Sequence, residues 1–204
     1  MDGSGCARAD PDRSEVCRLP PAERVVIVKK VLIAFATKAG STREIAEVIA
    51  QPFRAEGFGV DVRELRDIRD IAGYDAIVLG GPIYFDKIMP EVVEFATTWR
   101  AAIASVPVAY FVVGGTLKDD TPAIRQVARA ALLPLEPLKE PVDVGFFAGK
   151  VDSRSVGLLY RLMLKVKKAP DGDWRDWDAI GAWGTTVARR MAELQKVSRV
   201  AATV

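Results

Sequence analysis

The 204-residue chain contains no histidine, an absence that removes more chemistry than any motif here supplies. Ser-His-Asp and Cys-His catalysis are excluded, as are histidine-ligated haem and histidine-containing metal centres. Cysteine is nearly as scarce: the two present, Cys6 and Cys17, both lie in a polar N-terminal stretch. Two such residues make neither a disulfide framework nor a four-ligand zinc site, so no metal is expected. No apolar run reaches membrane-spanning length and the N-terminus reads as no signal peptide, so the expected compartment is the cytoplasm. Charge of one sign is also missing: 29 basic against 27 acidic residues leave +2, and nothing calls for nucleic acid. Demanding redox chemistry would therefore have to come from a bound cofactor.

What is present suits one α/β domain. Half of the residues are hydrophobic and 27% are charged, enough for a sizeable core. Residues 1–24, rich in Gly, Ser, Pro, Asp and Arg without periodicity, read as a disordered tail, and 25–204 as the folded domain. Apolar runs predict strands at 26–36, 59–64, 76–80, 106–113 and 142–147. Helical spacing predicts helices at 41–55, 90–103, 122–132 and 176–197, with a short helical turn at 67–72. Strands alternating with helices imply a doubly wound, five-stranded parallel sheet with helices on both faces. Right-handed crossovers then put the loops that follow the strands on one edge, where ligands bind at the switch point.

Thr37-Lys38-Ala39-Gly40-Ser41-Thr42 joins the first strand to the first helix. A hydroxyl-rich glycine turn opening a helix is how a parallel sheet makes a phosphate site, because turn amides and the helix dipole converge on one point. Gly40 permits close backbone approach, while Thr37, Ser41 and Thr42 add side-chain donors. An ordinary Ser/Thr helix cap would need one hydroxyl, not three. Neither the triphosphate loop nor the three-glycine dinucleotide fingerprint is present. Thr-x-x-Gly-x-Thr, followed by Glu44-Ile45-Ala46, resembles the phosphate loop of flavodoxin-like proteins. The resemblance implies FMN, held here by its monophosphate.

Two further loops would face the same edge. After the third strand comes Gly80-Gly81-Pro82-Ile83-Tyr84-Phe85-Asp86, read as a tight glycine turn with aromatic faces suited to stacking. Alone, it serves equally as a turn whose aromatics complete the core. The resemblance implies that Gly81, Pro82, Ile83, Tyr84 and Phe85 wrap the isoalloxazine. After the fourth strand, Gly114, Gly115, Thr116 and Leu117 are read as a second wall with amides for the pyrimidine edge; Lys118 to Asp120 fit a surface turn equally well.

Between the fifth strand and the last helix, residues 150–173 form a basic insertion. Val156, Leu159, Leu162, Met163 and Val166 share one helical face, whereas Arg154, Arg161, Lys165 and Lys168 share another. Such a helix suits peripheral contact with an anionic membrane through 150–170; the alternative is a cover for the sheet edge or a homodimer contact. The phosphate turn, Gly-x-x-Ile-Tyr after strand three, Ala148-Gly149, the insertion and Asp176-Trp177 together resemble one flavodoxin-like branch, the menaquinone-dependent protoporphyrinogen dehydrogenases. The insertion departs from that branch in its fewer aromatics and its Pro170-Asp171-Gly172 turn, which leaves the porphyrinogen assignment open.

The resemblance implies an FMN-dependent oxidoreductase with a small redox substrate and a quinone acceptor. The alternatives are a flavodoxin-type electron carrier and a nicotinamide-dependent quinone reductase. Carriers of this superfamily are usually acidic, and a sequence pI near 8.5 argues against docking on basic partners. No residue qualifies as a general base; Tyr84, Asp86 and Lys87 are substrate-side candidates only.

Overall fold

The computed structural model describes residues 29–38, 40–151 and 171–201. The expected tail at 1–24, Ala39 and the amphipathic residues of the insertion lie outside the described residues.

The elements in chain order are β1 (Lys30–Phe35), α1 (Ser41–Ala55), β2 (Gly59–Glu64), β3 (Ala76–Tyr84), β4 (Lys87–Ile88), α2 (Pro90–Thr98), α3 (Arg100–Ser105), β5 (Val108–Gly114), α4 (Pro122–Ala130), β6 (Val144–Ala148), β7 (Lys150–Val151), β8 (Gly172–Asp173) and α5 (Trp177–Ala201). The main sheet has the parallel order β2-β1-β3-β5-β6, with β4 antiparallel to β3. From β1 the chain winds first to β2 and then back past β1 to β3, so the switch point lies between β1 and β3. This is the doubly wound α/β sheet that the sequence predicts.

Alternation along the central strands divides the core in two. Val31, Ile33 and Phe35 of β1 point to the face covered by α1 and α5, where Ile45, Ile49, Phe53, Ile180, Val187 and Met191 are fully buried. Leu32 and Ala34 point to the other face, against Val92, Phe95, Ile103, Ala128 and Leu132. Each large apolar side chain withdrawn from water in this way contributes roughly 1.5–3 kcal/mol. A sheet buried on both faces fixes its register, and the register fixes which loops meet at its carboxyl edge.

Three expectations need correction. The Gly80-Gly81-Pro82 segment is not a tight turn. It continues β3, with Gly80, Gly81 and Pro82 paired to Phe111, Val112 and Val113. Space, not flexibility, selects glycine there. A Cβ on Gly80 would lie 2.3 Å from the Phe111 carbonyl oxygen, and one on Gly81 would lie 3.2 Å from Ala36 Cβ. The turn comes later, at Phe85-Asp86, where both residues have positive φ (52° and 61°) and β4 folds back on Ile83 and Tyr84. The single helix expected at 90–103 is divided at Trp99, whose backbone (φ −100°, ψ 20°) leaves the helical region between α2 and α3. Finally, the short helical turn lies at Leu65–Asp67, earlier than expected.

The insertion has a defined root. β7 and β8 pair antiparallel, Lys150 with Asp173 and Val151 with Gly172. The chain therefore leaves and re-enters the fold at one point.

Candidate functional site

The carboxyl ends of β1, β3 and β5 are adjacent by topology, and side chains join the segments that follow them. Lys38 Nζ sits 4.8 Å above the centre of the Tyr84 ring, linking the turn after β1 to the β3–β4 hairpin. Lys118 Nζ lies 5.0 Å above the Trp174 ring, linking the segment after β5 to the strand that follows the insertion. The Gly149 amide donates to the Gly114 carbonyl at 3.2 Å. Four segments thus share one edge.

The turn after β1 is built around a left-handed glycine. Gly40 caps α1 with φ 83°, a conformation that costs an L side chain strain, and its amide donates to Thr37 Oγ1 at 2.9 Å. Gly40 has no side chain with which to satisfy the first-turn amides; its carbonyl accepts from the Arg43 amide at 3.1 Å, which leaves the Ser41 and Thr42 amides for a ligand. Thr37, having accepted one bond, keeps its hydroxyl proton to donate. Thr42 is more telling. It is 1% exposed, and its hydroxyl has no hydrogen-bond partner among the described residues. A buried hydroxyl without a partner carries a desolvation cost of roughly 1–3 kcal/mol, which an anion seated on the turn would offset. Ser41 is half-buried beside it.

Charges brace this helix start on two sides. Arg43 packs over the Phe35 ring at 5.5 Å and reaches Glu64 at 3.6 Å. Glu64 is 7% exposed and also pairs with Arg66 at 3.0 Å. On the other side, Arg175 donates to Glu44 at 2.8 Å and through Nε to Asp173 at 2.7 Å, with its guanidinium 4.4 Å above the Trp177 ring. The hydrogen bonds that Arg175 donates to Asp173 raise the Arg175 pKa further and hold the Asp173 carboxyl below its ordinary value.

The expected site residues divide as follows. Thr37, Lys38, Gly40, Ser41 and Thr42 form the turn at the switch point. Ile83 and Tyr84 lie half-buried at the end of β3, and Phe85 projects from the hairpin at 61% exposure. Gly81 and Pro82 are buried within the strand. Gly114 ends β5, paired with Ala148, and Gly115 with Thr116 opens a single helical turn at Gly115–Asp119. Leu117, expected to wall the ring, is buried against the core and lines the cavity beside Lys118 and Trp174. Trp174 and Arg175 were missed. Arg175 meets its partner Glu44 across 131 residues, a separation that leaves no periodic trace.

A cavity of about 410 Å³ opens beside this edge, under β6 and between Lys118, Trp174 and Trp183. Another, of about 840 Å³, runs along α2 from Asp86 and Lys87 to Pro134. Among the described residues, no helix is long and apolar enough to cross a membrane, and no cluster of three or more acidic or sulfur side chains could hold a metal ion.

The match to a family model agrees with this architecture. The model of the flavodoxin domain family matches residues 32–178. The chain is 29% identical over 173 residues to protoporphyrinogen IX dehydrogenase (quinone) of Escherichia coli strain K12, covering 78% of this chain and 94% of that protein. Among solved structures, oxidised flavodoxin 2 from Bacillus cereus is 22% identical, with a TM-score of 0.49 over 80% of this chain and 98% of that one. A flavodoxin from the domain Archaea is 15% identical, with a TM-score of 0.49 over 80% and 99%.

Proposed function

The chain belongs to the flavodoxin domain family, and we propose from this that it is an FMN-dependent oxidoreductase that oxidises protoporphyrinogen or a similar reduced substrate with a quinone as acceptor. The observation that carries the cofactor is the turn at 37–42, where the Thr42 hydroxyl is buried without a partner among the described residues, beside the amides of Ser41 and Thr42. These residues fit a terminal monophosphate. Bound there, FMN would supply the two-electron redox chemistry that the side chains of this chain lack.

In this reading Thr37, Ser41, Thr42 and the first-turn amides hold the phosphate. Tyr84 and Phe85 flank the ring on one side, and Gly114, Gly115 and Thr116 lie along the other. Pro82 and Leu117 act from behind, by packing. The similarity to protoporphyrinogen IX dehydrogenase (quinone) supports the substrate class. The basic run at 150–170, with Asp152 as its single acid, supports contact with an anionic membrane where a quinone would be met, each basic residue adding about 1 kcal/mol near such a surface.

The test is the absorption spectrum of the purified protein, titration with FMN and FAD, and anaerobic reduction with candidate donors followed by reoxidation with a menaquinone analogue or air. FMN binding well above FAD, with faster reoxidation by the quinone, is the expected result. Equal, slow reoxidation by both acceptors would favour an electron carrier.

A further inference from the structure

We propose that Arg175 is a positioning residue for the phosphate turn, partly offsetting the charge of Glu44 so that the N-terminus of α1 repels a dianion less. The inference rests on the reading of that turn as the FMN phosphate site. Glu44 stands in the first turn of α1, about 4.5 Å along the axis from Ser41 at a rise of 1.5 Å per residue. A carboxylate there suits the helix dipole but competes with a bound anion for the same field. Arg175 reduces that competition from the far end of the sequence.

Its construction fits the role. The Arg175 side chain is only 5% exposed, whereas that of Glu44 is 60% exposed. The guanidinium is held by Asp173 and by the Trp177 ring before it meets Glu44. A planar fork that stacks on one face and serves two carboxylates is a task for arginine, not lysine. Asp173 belongs to β8, at the root of the insertion, so the compensating charge comes from a part of the fold that has no other link to the phosphate turn in sequence.

The experiment titrates FMN and riboflavin, which lacks the phosphate, against wild type, Arg175→Gln, Glu44→Gln and the double variant, at low and moderate salt. Arg175→Gln should weaken FMN about three- to tenfold and leave riboflavin unchanged. The deficit should shrink as salt shortens the screening length from about 30 Å to about 8 Å, and adding Glu44→Gln should restore it. Equal losses for FMN and riboflavin, or no restoration, would show that Arg175 merely holds the fold. If Arg175→Gln does not fold, Glu44→Gln alone decides: unchanged FMN affinity supports masking, and a gain of about tenfold or more overturns it. Wild-type protein that binds no FMN would end the phosphate reading and this inference together. Wild type that binds FMN, with Arg175→Gln unaltered, would end this inference alone.

Discussion

Two glycine-bearing segments meet at the carboxyl edge, and they use glycine for opposite reasons. In the turn at 37–42, Gly40 has φ 83° and open space where a Cβ would stand; it is chosen for its backbone. In β3, Gly80 has no room for a Cβ and Gly81 only a tight fit for one; they are chosen for their small size. The place in the second segment where a left-handed glycine would serve, Phe85-Asp86, carries none. The first segment therefore takes its glycine without crowding. The second is a tightly packed strand that ends in a strained turn exposing an aromatic ring.

Substitutions can break this contrast. The largest effect is expected from Gly80→Ala, whose methyl group would collide with a backbone oxygen that cannot step aside. A loss of about 3 kcal/mol or more in urea unfolding is expected, and a loss below about 1 kcal/mol would mean that the strand is looser than described. Next, Ser41→Ala with Thr42→Ala removes two donors from the phosphate turn. With charge-assisted bonds worth roughly 1.5–3 kcal/mol each, FMN affinity should fall at least about tenfold while the fold persists, as fluorescence titration and circular dichroism would show.

The smaller effects sharpen the comparison. Gly40→Ala meets no atom, so its cost is conformational only, about 1–2 kcal/mol in thermal or urea unfolding. Gly40 and Gly80 should thus differ in size of effect because they differ in mechanism. Smallest, and opposite in sign, is Phe85→Asn. Asparagine tolerates positive φ better than phenylalanine, so stability should rise by up to about 1 kcal/mol. The same variant should alter the spectrum or potential of bound flavin. Unchanged stability and spectrum would leave the exposed ring without a role.

Much of this was readable in advance, and the exceptions have physical causes. The spans of α1 and β2 match expectation to the residue, because Ile45, Ala46, Ile49 and Phe53 repeat at helical spacing and Gly57, at φ 84°, stops the helix. The extension of β3 was not readable. Gly-Gly-Pro has the composition of a turn, and only the Phe111 ring and carbonyl across the sheet make it a strand. The break at Trp99 has no glycine or proline to announce it. The turn at 37–42 was visible because its residues are contiguous. The Arg175–Glu44 pair was not, because nothing local joins its halves. The burial of Leu117 was not readable, because an apolar residue after a glycine pair can face solvent or the core, and the helical turn at Gly115–Asp119 turns it inward.

The short ladder of Lys150–Val151 with Gly172–Asp173 makes the intervening segment a plug-in module. Its two ends are tied side by side, so the scaffold registers only that the chain departs and returns. The entropic cost of a longer excursion grows slowly, by about 0.6 kcal/mol for each doubling of length. Between these anchors the sequence is free to be exchanged, lengthened or recharged, while the turns at the carboxyl edge and α5 keep their places.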